Sequence, residues 1–139
     1  MNRYKAHTQS KTSDEVDDYY EDHLRKKIQE LKYAIDTKDS DMYELIGSIR
    51  DVFSSPYIST PIVSPNLVKE LWILLTKVFI HSDIYDNQFD AIFAMDDIYL
   101  YSKRQNIKLC LKDLEKWREK HNKNNTTEEI LECVDVIIT

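Results

Sequence analysis

Glycine is nearly absent from this chain: Gly47 stands alone among 139 residues, and proline occurs only at Pro56, Pro61 and Pro65. One glycine cannot build a dinucleotide fingerprint, a Walker phosphate loop or a GxSxG nucleophile elbow, and the EF-hand loop fails with them. So few turn formers also argue against sandwiches and barrels, which reverse the chain often. Cysteine is scarce as well. Cys110 and Cys133 have no CxxC spacing and each falls in an apolar helical pattern, so buried, reduced thiols of a cytoplasmic protein are expected. No apolar run is long enough for a membrane: the best, Leu71 to Ile80, is broken by Lys77, whereas a span needs about 20 residues. The basic start, Met1-Asn2-Arg3-Tyr4-Lys5, leads into polar residues, so no secretory signal is expected.

Catalytic constellations are missing too. His7, His23, His81 and His121 are scattered, with no HExxH and no cysteine at ligand spacing. His81-Ser82-Asp83 resembles a catalytic trio only as a string, because backbone neighbours cannot face one another as nucleophile, base and orienter. It reads instead as a helix-terminal histidine followed by a capping serine or aspartate. Asp83, Asp86 and Asp90 share one helix face and could meet a divalent ion, but no second helix offers a matching carboxylate motif, so they read as a solvated acidic face. The expectation is a protein that is not an enzyme and holds no metal or cofactor.

What is present is helical. With 42% hydrophobic and 32% charged residues, the composition suits one soluble all-α domain over 13–139, after a mobile polar segment at 1–12. Five to six helices are expected, as a compact bundle or a short stack of hairpins. Thr12-Ser13-Asp14-Glu15 fits a capping box, and Tyr20, Leu24, Ile28, Leu31 and Ile35 form the stripe of a helix reaching about Thr37. Asp39, Ser40 or Asp41 caps a second helix whose buried face is Met42, Leu45, Ile46, Ile49, Val52 and Phe53, with Gly47 marking a close helix crossing. After an extended connection, Ser64-Pro65 opens a third, expected to be the most buried. Ser82 or Asp83 opens a fourth that ends near Asp96-Asp97. Ile98 to Tyr101 reads as a strand or, preferably, the first turn of a fifth helix over about Ser102 to His121. Thr126-Thr127-Glu128-Glu129 starts a last apolar helix, whose end docks in the core or continues into a partner.

Charge is the remaining functional signal. The net charge is −6, which disfavours nonspecific nucleic-acid binding and favours a basic partner. Two acidic ridges are expected: Asp14 to Asp22, carrying Asp14, Asp17, Asp18 and Glu21 beside Tyr19 and Tyr20, and Asp83 to Asp97, carrying Asp83, Asp86, Asp90, Asp96 and Asp97 beside Tyr85 and Tyr99. Between Lys103 and Lys123 the balance reverses, with eight bases against three acids. Solvated helix faces account for such runs without any partner. The functional reading is that tyrosines give contact area at low entropy cost while carboxylates steer and pair with a basic protein surface.

Leu71-Trp72-Ile73-Leu74-Leu75 followed by Phe79-Ile80-His81-Ser82-Asp83-Ile84-Tyr85-Asp86, in a small, acidic, glycine-poor helical chain, resembles the helical-repeat immunity proteins encoded beside polymorphic or contact-dependent bacterial toxins. That resemblance implies a noncatalytic inhibitor that binds a nuclease-like toxin domain and covers its cationic cleft. Three other readings fit the same composition: a viral or phage inhibitor of host defence, a nucleic-acid-associated regulator using the basic 103–123 helix, and a structural subunit of an oligomer.

Overall fold

The apolar stripes fold into six α-helices in a computed structural model that describes residues 17–54 and 61–139. These are α1 (Asp18–Asp36), α2 (Tyr43–Ser54), α3 (Pro65–His81), α4 (Tyr85–Arg104), α5 (Lys112–Glu119) and α6 (Glu128–Ile138). There is no strand among the described residues. The 1–12 segment and the Thr12–Glu15 capping box lie outside them, and the first described helix takes Asp17 as its N-cap.

Packing follows from which helices have more than one apolar face. α3 is apolar on nearly all sides and lies against α1, α4 and α5, while α4 lies against α2, α3 and α6. The result is two quadrilaterals of helices, α1–α2–α4–α3 and α3–α4–α6–α5, sharing the α3–α4 pair. Leu71, Leu75 and Phe79 of α3 and Ala91, Ile92, Met95 and Ile98 of α4 are fully buried along that shared wall. Burying large apolar side chains of this kind contributes about 1.5–3 kcal/mol each, so the wall is a major source of the fold's stability. All-α, single-domain architecture is therefore what the chain adopts.

Element boundaries depart furthest from the sequence reading at the end of α4. α4 does not stop near Asp96-Asp97; it runs to Arg104, so Ile98 to Tyr101 lie across its fourth and fifth turns, neither a strand nor the start of a new helix. It then ends in a Schellman motif: the Asn106 N–H donates to the Lys103 carbonyl (3.4 Å) and the Ile107 N–H to that of Ser102 (2.8 Å), with Asn106 at φ 57°. Residues 107–111 are irregular, held by the Trp72 indole N–H donating to the Cys110 carbonyl at 2.9 Å. The expected helix over 102–121 is thus cut down to α5. Its loss also corrects the thiols, since Cys110 is exposed on this connector and Cys133 is half-buried in α6; neither is in a disulfide.

The same motif without glycine closes α1. Lys38 sits at φ 54°, its N–H donates to the Ile35 carbonyl (3.2 Å) and the Asp39 N–H to that of Ala34 (2.9 Å). α4 takes Ile84, rather than Ser82 or Asp83, as its N-cap, and the Ser82 Oγ accepts the Ile84 N–H at 3.0 Å. Ser64 occupies the expected N-cap position of α3, whereas α6 takes Thr127 rather than the Thr126 of the capping-box pattern, and neither N-cap hydroxyl makes a capping bond.

Gly47 is a correction of a different kind. A Cβ built there meets nothing within 4 Å, so no close helix crossing requires the glycine. Gly47→Ala is expected to stabilise the protein by about 0.5–1 kcal/mol through helix propensity alone. Thermal unfolding should show a rise in Tm of about 2–3 °C.

Candidate functional site

The acids at the start of α1 do not form one free ridge. Asp14 lies outside the described residues. Asp17 is half-buried and its N–H donates to the Ile62 carbonyl at 2.6 Å, while Asp18 and Asp22 are exposed. Tyr19 is 71% exposed, edge-on to Tyr20 and stacked on His23. Glu21 is an internal fastener rather than a partner-facing group: it is 5% exposed, one oxygen accepts from Arg25 at 3.1 Å and the other from the Ser64 N–H. Next to it the buried Tyr101 hydroxyl accepts the Val63 N–H (3.1 Å) and donates to the Pro61 carbonyl (3.0 Å). Glu21 and Tyr101 together pin the segment that enters α3.

The second run divides as well. Asp83, Tyr85 and Asp86 are exposed and Asp90 is half-buried; Tyr85 stacks on Phe89 and its hydroxyl meets the Thr127 Oγ1 at 3.2 Å. Asp97 is occupied by Arg50 at 2.7 Å, whose guanidinium also lies over the Phe93 ring. Asp96 is half-buried, and its buried Oδ1 has no hydrogen-bond partner. Burial first and the Asp97 charge second raise the Asp96 pKa, and burial followed by Asp96 raises that of the Cys133 thiol. Tyr99 is half-buried against Trp72 with Lys103 over its ring.

The two acidic runs do not form one ridge, because the second extends along α4 and its first acids lie far from Glu21. Glu21 sits beside Ser64 in the segment that Tyr101 holds at the end of α4, whereas Asp86 begins α4, about 22 Å away along the axis. The structure brings a different set together. Asn87, 2% exposed, accepts the Met42 N–H on its Oδ1 (3.0 Å) and donates from Nδ2 to the Asp39 carbonyl (3.0 Å), clamping the α1–α2 turn onto the start of α4. Three shallow depressions of about 730, 500 and 480 Å³ adjoin there. Their walls carry seven carboxylates, Glu30, Asp39, Asp41, Glu44, Asp51, Asp86 and Asp90, and one base, Arg50, already engaged by Asp97. Tyr33 and Tyr43, 72% and 69% exposed, stand at the edges.

Of this face, the sequence reading names only Asp86 and Asp90 as partner-binding. Asp39 and Asp41 read as helix caps, and they do serve the turn: Asp39 Oδ1 accepts the Asp41 N–H and Asp41 Oδ1 the Tyr43 N–H, each at 3.1 Å. Their meeting with α4 depends on Asn87, a residue that carries no charge signal. Convergence is visible in Asp90, whose pKa is raised by burial first and then by Asp86, against the opposing pull of Arg50, with a further push from Asp41.

A carboxyl that binds its proton more readily folded than unfolded gains stability as pH falls and loses it as pH rises. Asp90→Asn is therefore expected to stabilise the protein at pH 7, by less than about 0.5 kcal/mol because solvent screens this half-exposed site. Melts over a pH series should show the gain shrinking as pH falls toward the ordinary carboxylate value of 3.8.

Elsewhere the chemistry is sparse. Ser48 Oγ and His23 Nε2 meet at 3.2 Å, but no hydrogen bond among the described residues orients the other ring nitrogen as a catalytic dyad requires. No group of three or more His, Cys, Asp or Glu among the described residues is arranged to hold a metal ion. The basic 103–123 stretch is split between the end of α4, the connector, α5 and the following turn, so it presents no continuous basic helix. Arg118 within it is committed to Asp135 (2.7 Å) and to the His121 carbonyl (2.6 Å). No described helix is long and apolar enough to cross a membrane. Compared with known proteins, the chain matches no family model, and no curated protein or solved structure is significantly similar to it.

Proposed function

We propose that this protein is a noncatalytic, protein-binding inhibitor or regulator that uses the acidic face at the α1–α2 turn and the start of α4 to cover a basic surface on another protein. The observation that carries this reading is the convergence of seven carboxylates with one committed base, edged by two exposed tyrosines. Carboxylates in that density raise the encounter rate with a cationic surface, and tyrosines add amphipathic contact area. A toxin of the nuclease type, whose cleft must be cationic to hold a phosphate backbone, has the matching chemistry, so an immunity-type role is the specific form proposed. The resemblance of the α3–α4 segment to immunity proteins supports that form.

The test is capture of the partner from the native host by the wild-type chain and by Glu44→Lys/Asp51→Lys/Asp86→Lys. These three side chains are exposed and make no ion pair among the described residues. A basic protein retained by the first at low salt, released by added salt and absent from the second is the expected result. Equal retention by both would sink the reading. A toxin encoded next to this protein, neutralised on co-expression by wild type and spared by the variant, would establish the immunity form.

A further inference from the structure

A second concave site lies where the C-terminal ends of α1 and α3 meet. It is a recess of about 340 Å³, within the range of small-ligand pockets. Ile35, Met42, Val78 and Ile84 give it apolar walls. Lys38, Lys77 and His81 stand on the same lining, and none of the three makes an ion pair or side-chain hydrogen bond among the described residues. In a chain of net charge −6, three uncommitted basic side chains around one apolar recess run against the general trend.

Helix C-termini would ordinarily favour a cation here. In this recess their carbonyls are largely satisfied from within: Ile35 and Ala34 by the Lys38 and Asp39 N–H groups, Val78 by the Ser82 N–H (3.0 Å), and Phe79 by the Gln88 side-chain amide (2.9 Å). Two acids share the lining: Asp39, one of whose oxygens accepts the Asp41 N–H, and Asp83. Lys38 and Lys77 thus offer the mouth two ammonium groups without an ion-pair partner among the described residues, and the aliphatic walls set the character of the floor.

We propose that this recess binds a small monocarboxylate with an apolar tail, the tail against Met42 and Val78 and the carboxylate between Lys38 and Lys77. This site adjoins the protein-binding face at Asp39 but does not depend on that face binding a partner.

The experiment titrates the full chain with 4-phenylbutyrate while the methyl resonances of Ile35, Met42, Val78 and Ile84 are followed by NMR, with the matching primary amide and primary amine as controls. A ligand of this size in a partly open pocket is expected to bind with a Kd on the order of 1 mM. The amide should bind about tenfold more weakly and the amine more weakly still, since each loses the attraction to both ammonium groups. Lys77→Gln and Lys38→Asn, the latter chosen because asparagine tolerates the left-handed backbone at 38, should each weaken binding about two- to fivefold, and Asp83→Asn should tighten it. Equal affinity for carboxylate and amine, shifts confined to other methyls, or no response of the affinity to the lysine substitutions would overturn the proposal.

Discussion

Reversing Glu44, Asp51 and Asp86 to lysine is expected to slow association with the basic partner by about 100-fold at low salt, the difference between a steered and an unsteered encounter. Each reversal adds two positive charges, so the net charge moves from −6 to zero while every altered side chain remains exposed. Stopped-flow mixing over a salt series checks this. The wild-type rate should fall steeply with ionic strength and meet that of the variant near molar salt, where the screening length is about 3 Å. The cost to folding is small, because Glu44 and Asp86 complement their helix N-termini by only about 0.3–1 kcal/mol each. A variant that melts near the wild-type temperature yet associates at the wild-type rate would separate the acids from binding.

Asn87→Ala carries the largest expected effect on stability. Removing this amide strips the buried Met42 N–H of its acceptor and the carbonyl of the exposed Asp39 of its donor. Stranding the buried N–H costs about 1–3 kcal/mol while water can serve the carbonyl, so a loss of about 1–3 kcal/mol and a drop in Tm of about 3–10 °C are expected. Asn87→Asp is the informative companion. It keeps an acceptor for Met42 but loses the donor to Asp39 and places another carboxylate beside Asp86 and Asp90, so it should be destabilised as well, and less so in acid. If Asn87→Ala instead melted within about 1 °C of wild type, the clamp would be a bystander and the α1–α2 turn would be held by its apolar contacts alone.

The parts of the fold that were legible in the sequence are those with one buried face. α1 and α6 each bury a single stripe, Leu24-Ile28-Leu31 and Ile130-Val134-Ile137, and period 3.6 finds them. α4 is apolar toward three neighbours at once, and its fifth turn carries Tyr101 and Ser102 inward, so its periodicity blurs and its end is not legible. The stop came from Asn106 in the left-handed region, where glycine is the usual signal and none is present. Ile107, Leu109 and Leu111 then pack on the core at alternate positions, the spacing of extended chain, although Ile107 and Leu111 also suit a helix four residues apart. For the candidate site the limit was topological. Charge runs are local in sequence, while the acidic face joins α1, its turn, α2 and α4. The runs that stood out as ridges proved to be divided between solvent, internal fasteners such as Glu21, and ion pairs such as Asp97 with Arg50.

The shared α3–α4 wall also partitions the molecule's motions. Because α5 and α6 touch only that wall and one another, their detachment would break no contact of α1 or α2. Arg118, bridging Asp135 and the His121 carbonyl, fastens those last two helices into one unit that opens or closes together. Transient opening at the C-terminal edge can therefore come and go while the opposite flank keeps the shape it presents to a visitor.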